Sequence, residues 1–217
     1  MDKIRRQLLR ARLYIILDTQ VHDYPVLFKI LKESVRAGEV IVQLRDKNGK
    51  TRDSLRFIQK ALGFLRHRVP FIVNDRVDWA LATGASGVHL GQDDIPLSAA
   101  RKILGPKAVI GISCQTFTQA RQAETGGADY IGFGSVFKTL TKPERSPMDL
   151  NLLARVVRVS QVPVYAIGGI TLQNLSRLTE QGMNRVAVTR AVCLSGRVRE
   201  TTKSFLERLN SVRMNES

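Results

Sequence analysis

The apolar positions of this chain fall into short runs that alternate with stretches of helical period. The clearest example is Phe71 to Pro96. Phe71, Ile72 and Val73 form a run of the kind buried in a parallel sheet, and it stops abruptly on Asn74, Asp75 and Arg76. Val77, Ala80 and Leu81 then recur at helical spacing until Gly84 ends the helix. Gly87 to Leu90 is the next strand, closing on Gly91, Gln92, Asp93 and Asp94. The alternation continues in both directions. It predicts further strands over residues 13–17, 40–44, 108–112, 128–133, 163–167 and 185–188. Between them it predicts helices over residues 24–36, 53–64, 97–104, 118–125, 149–159, 172–181 and 198–209.

A small pattern recurs within this alternation: a helix ends in glycine and a buried strand begins a few residues later. AGEVIVQL, TGASGVHL, GGADYIGF and QGMNRVAV all show it, a weak internal repetition of one strand–helix unit. Eight strands alternating with helices predict an α/β protein built as a single (β/α)8 TIM barrel over residues 13–210. An open doubly wound sheet fits less well, because it has one switch point whereas polar clusters follow nearly every strand here. Residues 1–12 form a basic N-terminal helix or extension, either a solvated helix packed on one end of the barrel or a membrane-surface helix. Residues 211–217 are expected to be a disordered tail.

Composition narrows the function classes. A chain of 217 residues with 43% hydrophobic content supports one sizeable core. The formal charge of +15, from 34 basic and 19 acidic residues, attracts polyanions and phosphorylated metabolites. Basic residues are scattered through helices and aromatics are only 6%, so no specific nucleic-acid role is expected. Cys114 and Cys193 are too few for a disulfide framework or a zinc motif. The N-terminus lacks the apolar segment of a signal peptide and no run reaches transmembrane length, so a cytoplasmic protein with no membrane partner is expected.

In a barrel, the polar clusters that follow the strands converge on one mouth. Asp75 and Asp94 follow neighbouring strands and are candidate metal ligands, with Asp93 beside them; alternatively each caps the helix that follows. Magnesium suits such a site, because it keeps waters and takes further oxygens from a phosphate. Gln43, Arg45 and Lys47 alternate along one strand end and share a face. Two cations aimed into one cavity would be costly without an anionic ligand, although Lys47 alone could be a solvated surface lysine. Thr139, Thr141 and Lys142 lie in the long loop 134–147, of the length that often forms a lid. Gly168 and Gly169 allow close backbone approach to a phosphate or form only a turn, and Thr189 and Arg190 follow the last strand. Ser113 ends the fifth strand, facing a ligand or capping the next helix, and His89 is read as facing the core or a neighbouring helix. No nucleophile–histidine pair supports a hydrolase triad.

These residues carry a resemblance. QLRDK at 43–47, IVNDR at 72–76, GVHLGQDD at 87–94, GIS at 111–113, TLTK at 139–142 and AIGGI at 166–170 occur in order. Together they resemble the thiamine-phosphate synthase (thiamine-phosphate pyrophosphorylase) family over roughly residues 13–195. The resemblance implies a (β/α)8 barrel. It implies joining of 4-amino-5-hydroxymethyl-2-methylpyrimidine diphosphate to 4-methyl-5-(2-phosphoethyl)thiazole with release of pyrophosphate, by loss of pyrophosphate and then attack of the thiazole nitrogen. By resemblance, Asp75 and Asp94 hold Mg²⁺, and Arg45, Lys47, Asn74 and Lys142 bind the pyrophosphate. Gln43 and Ser113 contact the pyrimidine, with Arg45, Ser113 and Lys142 the catalytic group. Thr139, Thr141, Gly168, Gly169, Thr189 and Arg190 take the thiazole phosphate, and a homodimer is implied. The alternative within this barrel family is a thiazole tautomerase-like protein or an inactive paralogue. The tautomerase group uses a histidine two residues after the strand-five serine, where this chain has Gln115.

Overall fold

A computed structural model describes residues 3–139 and 147–212 of the chain. The elements run α1 (Lys3–Arg10), β1 (Leu13–Asp18), α2 (Tyr24–Ala37), β2 (Val40–Arg45), α3 (Thr51–Leu65), β3 (Phe71–Asn74), α4 (Val77–Thr83) and β4 (Gly87–Leu90). They continue α5 (Leu97–Leu104), β5 (Val109–Cys114), α6 (Phe117–Thr125), β6 (Tyr130–Phe133), α7 (Leu150–Val159) and β7 (Val164–Ile167). α8 (Ser176–Thr179), β8 (Val186–Val188), α9 (Arg190–Cys193) and α10 (Val198–Asn210) complete the chain. The strands close into a parallel barrel in sequence order, with β8 pairing back onto β1. The expected (β/α)8 barrel is therefore the fold.

Alternation along each strand divides the core into two parts. Leu13, Ile15 and Leu17, with Val42, Leu44, Val88, Leu90, Ile131 and Phe133, point outward into the layer shared with the helices. The intervening positions, including Tyr14, Ile16, Ile41, Ile72, Tyr130 and Tyr165, fill the barrel itself. Inward positions nearer the carboxyl ends become polar: Asp18, Gln43 and His89 are all buried. Apolar packing thus closes one end of the barrel and leaves a polar floor below the other.

The closed end carries an extra plug. Leu8 of α1 is 1% exposed and packs with the interior cluster of Tyr14, Tyr130 and Tyr165. Tyr165 donates to the carbonyls of Leu8 (3.0 Å) and Ala11 (2.7 Å), and Arg185 donates to the carbonyl of Leu9 (2.8 Å). These donors satisfy carbonyls at the end of α1 that have no partner within the helix. The N-terminal segment is therefore a packed helix on the barrel end. Among the described residues, no helix is long and apolar enough to cross a membrane.

Two elements depart from the expectation. The helix expected over 172–181 contracts to α8, because Asn174 folds the chain locally. Its Oδ1 accepts from the Thr171 amide (2.9 Å) while its Nδ2 donates to the Gly169 carbonyl (2.9 Å). The short α9 was not anticipated, since four residues carry no readable period. Most of the expected C-terminal tail, residues 213–217, lies outside the described residues.

Candidate active site

The carboxyl ends of the strands surround a cavity of about 300 Å³. Gln43, Arg45 and Asn74 line one side, and Gly168, Gly169, Thr189 and Arg190 line another. Because β3 and β7 lie four strands apart in a closed eight-strand barrel, these two groups face each other across the mouth. Ser113 and His89 line the cavity between them, and Thr139 borders it from the loop after β6. Thr141 and Lys142 fall outside the described residues, as does half of the expected lid, residues 140–146.

The rim above β2, β3 and β4 holds the charged groups. Arg45 is not an uncompensated cation: its Nη1 lies 2.8 Å from Asp18 Oδ2 and also donates to Gln20 at 3.0 Å. Asp18 and Arg45 occupy paired positions of β1 and β2, so the register itself makes the ion pair. Lys47 similarly pairs with Asp75. The expectation that these two cations require an anionic ligand is thus corrected: each already has a carboxylate. Gln43 shares the cavity lining with Arg45, whereas Lys47 lies outside that lining, and the Gln43 amide is turned into the barrel toward Tyr14 (2.7 Å).

Asp75 and Asp94 come together, their carboxyl groups within hydrogen-bond reach. Neither caps a helix. The N-cap positions of α4 and α5 are Arg76 and Pro96, and neither carries a side-chain cap. Asp75 instead adopts a left-handed backbone (φ 60°), with its amide on the carbonyl of His89 at 2.8 Å. That conformation costs free energy for a residue other than glycine, and the contacts around it sustain it. Asp94 is oriented by the amide of Gly91 (2.6 Å). Burial, followed by the hydrogen bond with Asp94, raises the Asp75 carboxyl, while Lys47 opposes the rise. Burial also pushes Asp94 up, but its hydrogen bonds with Asp75 and Gly91 outweigh this and leave it lowered. Two such carboxylates side by side are stable with a proton or a cation between them. Asp93 is exposed and joins neither.

Across the mouth, Gly168 and Gly169 have φ of 109° and 63°. A methyl group at 168 would sit 2.1 Å from Ser135 Oγ, and one at 169 would sit 2.3 Å from the Lys138 carbonyl oxygen. Both glycines are therefore required for the loops after β6 and β7 to interlock, which Phe137 does by donating to the Gly168 carbonyl (3.0 Å). Beside them the Arg190 Nε is buried without a hydrogen-bond partner. Arg5 and Arg185 share that feature at the closed end, but Arg190 alone of the three lines the cavity. An anionic ligand would satisfy it.

Ser113 does not cap α6, whose start is capped by Thr116 and Gln119. Its hydroxyl lies 2.9 Å from His89 Nε2. His89 faces into the barrel and lines the cavity, where its sequence setting in a short apolar strand had hidden a site role. The alternation of β4 could have pointed there, because Val88 and Leu90 occupy the helix-facing positions. Asp18 was missed as well, since its importance follows from a partner on another strand. The two cysteines are buried, and burial pushes both thiols up to about 12. They are unsuited as nucleophiles.

Comparison with known proteins identifies relatives of this chain. A family model described as thiamine monophosphate synthase matches residues 13–192. A thiamine-phosphate synthase of Gloeobacter violaceus is 43% identical over 95% of this chain, which spans 60% of that protein. One from Ruminiclostridium cellulolyticum is 36% identical over 90% of this chain and 93% of its own length. Among solved structures, a thiamine phosphate pyrophosphorylase from Pyrococcus furiosus superposes with a TM-score of 0.84 at 34% identity, covering 96% of this chain and 98% of that one. The chain belongs to the thiamine monophosphate synthase family.

Proposed function

We infer that the protein is a thiamine-phosphate synthase, joining an aminopyrimidine diphosphate to a thiazole phosphate with release of pyrophosphate. The observation that carries this reading is one cavity lined on one side by Arg45 and Asn74 and on the opposite side by Gly168, Gly169, Thr189 and Arg190, with hydrogen-bonding residues between them. The side bearing Arg45 and Asn74, with Lys47 on the rim outside the lining, suits the diphosphate, while Gly168, Gly169, Thr189 and Arg190 suit the phosphate of the second substrate. We assign the pyrimidine to Gln43 and Ser113, which both line the cavity.

The carboxylate pair fits Mg²⁺, an ion commonly held by one or two carboxylates together with substrate phosphates. Asp75 and Asp94 would hold it, and when bound it would supply positive charge against the leaving pyrophosphate. Arg45 and Lys47 add to that stabilisation from the protein side, with Lys142 assigned the same task by its sequence position. The bond between the pyrimidine methylene carbon and the diphosphate oxygen breaks, its electron pair leaving with pyrophosphate. The amino group of the ring stabilises the resulting cation, and the thiazole nitrogen donates the pair that forms the new C–N bond. The protein contributes electrostatics and alignment, so the lack of an accessible thiol nucleophile among the described residues is no obstacle. Gln115 is exposed and carries neither acid nor base, which counts against the tautomerase alternative. We extend the reading to a cytoplasmic homodimer, to be checked by cell fractionation and sedimentation.

The test is to mix the purified protein with the pyrimidine diphosphate, the thiazole phosphate and Mg²⁺, and to measure thiamine phosphate and pyrophosphate. Both products should form in equal amounts, and chelation or Asp94→Ala should lower turnover by at least about 100-fold. Folded protein that forms neither product would overturn the assignment.

A further inference from the structure

Beneath the cavity floor, five side chains from five strands make one unbroken hydrogen-bonded chain. Gln43 Nε2 donates to the Tyr14 hydroxyl (2.7 Å), which lies 2.8 Å from the Tyr130 hydroxyl. Tyr130 reaches His89 Nδ1 at 3.0 Å, and His89 Nε2 reaches Ser113 Oγ at 2.9 Å. Gln43, Tyr14, Tyr130 and His89 are all buried. The rings are held by their packing: Tyr14 meets Tyr130 edge-on at 5.7 Å, and His89 stacks on Tyr130 at 5.4 Å. Two glycines make room for them. A methyl group on Gly111 would lie 2.0 Å from Tyr130 Cζ, and one on Gly132 would lie 3.0 Å from His89 Cε1.

The donors and acceptors fix a direction. Each tyrosine has one hydrogen, and leaving it unpaired in a buried site is costly. Tyr14 accepts from Gln43, so its hydrogen goes to Tyr130. The Tyr130 hydrogen then goes to His89 Nδ1, which places the imidazole hydrogen on Nε2, pointing at Ser113. Ser113 Oγ accepts it and keeps its own hydrogen to offer elsewhere. At the other end, Gln43 has its nitrogen committed to Tyr14 and presents its oxygen as acceptor.

We propose that Tyr14, Tyr130 and His89 are positioning and specificity-determining residues that hold Gln43 as an acceptor and Ser113 as a donor toward the pyrimidine. This rests on the reading of Gln43 and Ser113 as pyrimidine contacts. An acceptor and a donor match an amino group beside a ring nitrogen. They mismatch a ring whose amino group is replaced by an oxo group beside N–H, because both polarities are then reversed. The buried hydrogen-bond chain would make the floor select the amino form, since reversing it requires every hydrogen in the chain to move.

The proposal is tested on two levels. Long-range ¹H–¹⁵N NMR of the histidine side chains in substrate-free protein reports which nitrogen carries hydrogen, with His89→Gln supplying the assignment. The wild type should show His89 with hydrogen on Nε2. Tyr130→Phe should lose that fixed tautomer, and Tyr165→Phe, whose hydroxyl bonds α1 carbonyls outside the chain, should keep it. In kinetics, Tyr130→Phe and Tyr14→Phe should raise KM for the pyrimidine diphosphate about 5- to 10-fold, as expected for one neutral hydrogen bond, and leave KM for the thiazole phosphate unchanged. Both should also narrow the preference for the amino over the oxo pyrimidine. Hydrogen on Nδ1 in the wild type, or a tautomer unmoved by Tyr130→Phe, would overturn the proposal. So would an equal rise in both KM values. Wild-type protein without synthase turnover would defeat the functional reading instead, while the NMR result would still decide the direction of the chain.

Discussion

Asp46 shows how one buried carboxylate shapes the rim without touching the cavity. It is 7% exposed and accepts from Thr19 (2.9 Å), Tyr24 (2.5 Å), Ser54 (2.6 Å) and the Gly49 amide (2.8 Å). The loop it closes carries Lys47. Burial alone would raise this carboxyl, but the hydrogen bonds from Ser54, Tyr24, Thr19 and Gly49 outweigh it and hold the group below the ordinary range. A group depressed on folding stabilises the fold above its unfolded pKa, about 3.9 for aspartate, and that stability is lost as pH falls through the folded value. Asp46→Asn should therefore cost about 1–3 kcal/mol near neutral pH, and the penalty should shrink below about pH 4. Urea midpoints of both proteins at several pH values check this; a penalty independent of pH would remove the charge from the explanation. Gly169→Ala is a second residue-scale case. Its methyl would press on the Lys138 carbonyl at 2.3 Å in a left-handed backbone, so the loops of the phosphate side must separate. KM for the thiazole phosphate should rise at least about 10-fold, with a smaller change for the diphosphate.

At the scale of elements, the barrel was legible because its strands are short apolar runs ending in polar clusters, with helical period between them. Phe71–Asn74 and Gly87–Leu90 could be read almost residue for residue. What could not be read depends on register or on a local hydrogen bond. Asp18 matters because it stands opposite Arg45, and α8 is short because Asn174 redirects its first turn. His89 is a milder case: the alternation of β4 sets it on the face opposite Val88 and Leu90, but its partners Tyr130 and Ser113 stand on other strands. The site motifs Gln43, Arg45, Asn74 and Gly168–Gly169 were legible, and the structure places them on one cavity. α1 offers an element-scale prediction. Leu8 is buried against the tyrosine cluster at the end opposite the cavity, so Leu8→Ala should cost about 2–4 kcal/mol. Thermal unfolding would register the loss, while kcat well below the melting temperature should change less than about twofold. A large fall in kcat without loss of stability would show that the plug governs the site and does more than seal the barrel.

The charge of the whole molecule bears on how substrates arrive. The two rim cations are already paired with carboxylates, Arg45 with Asp18 and Lys47 with Asp75. Local attraction for a diphosphate is therefore weaker than the cations alone suggest, and the net +15 acts over a longer range. Long-range attraction between exposed charges is screened by salt, with a Debye length of about 10 Å at 0.1 M and about 3 Å at 1 M. The partly buried contacts inside the cavity are screened far less. Raising NaCl toward about 1 M should consequently lower kcat/KM for the pyrimidine diphosphate, mainly through KM, while kcat stays within about twofold. Steady-state kinetics across a salt series, with melting temperatures recorded alongside, separate this effect from any loss of fold. If kcat falls as steeply as kcat/KM, salt is reaching the groups that stabilise the departing pyrophosphate. The rim pairs would then be exchanging partners during turnover, and the distant charge would contribute little.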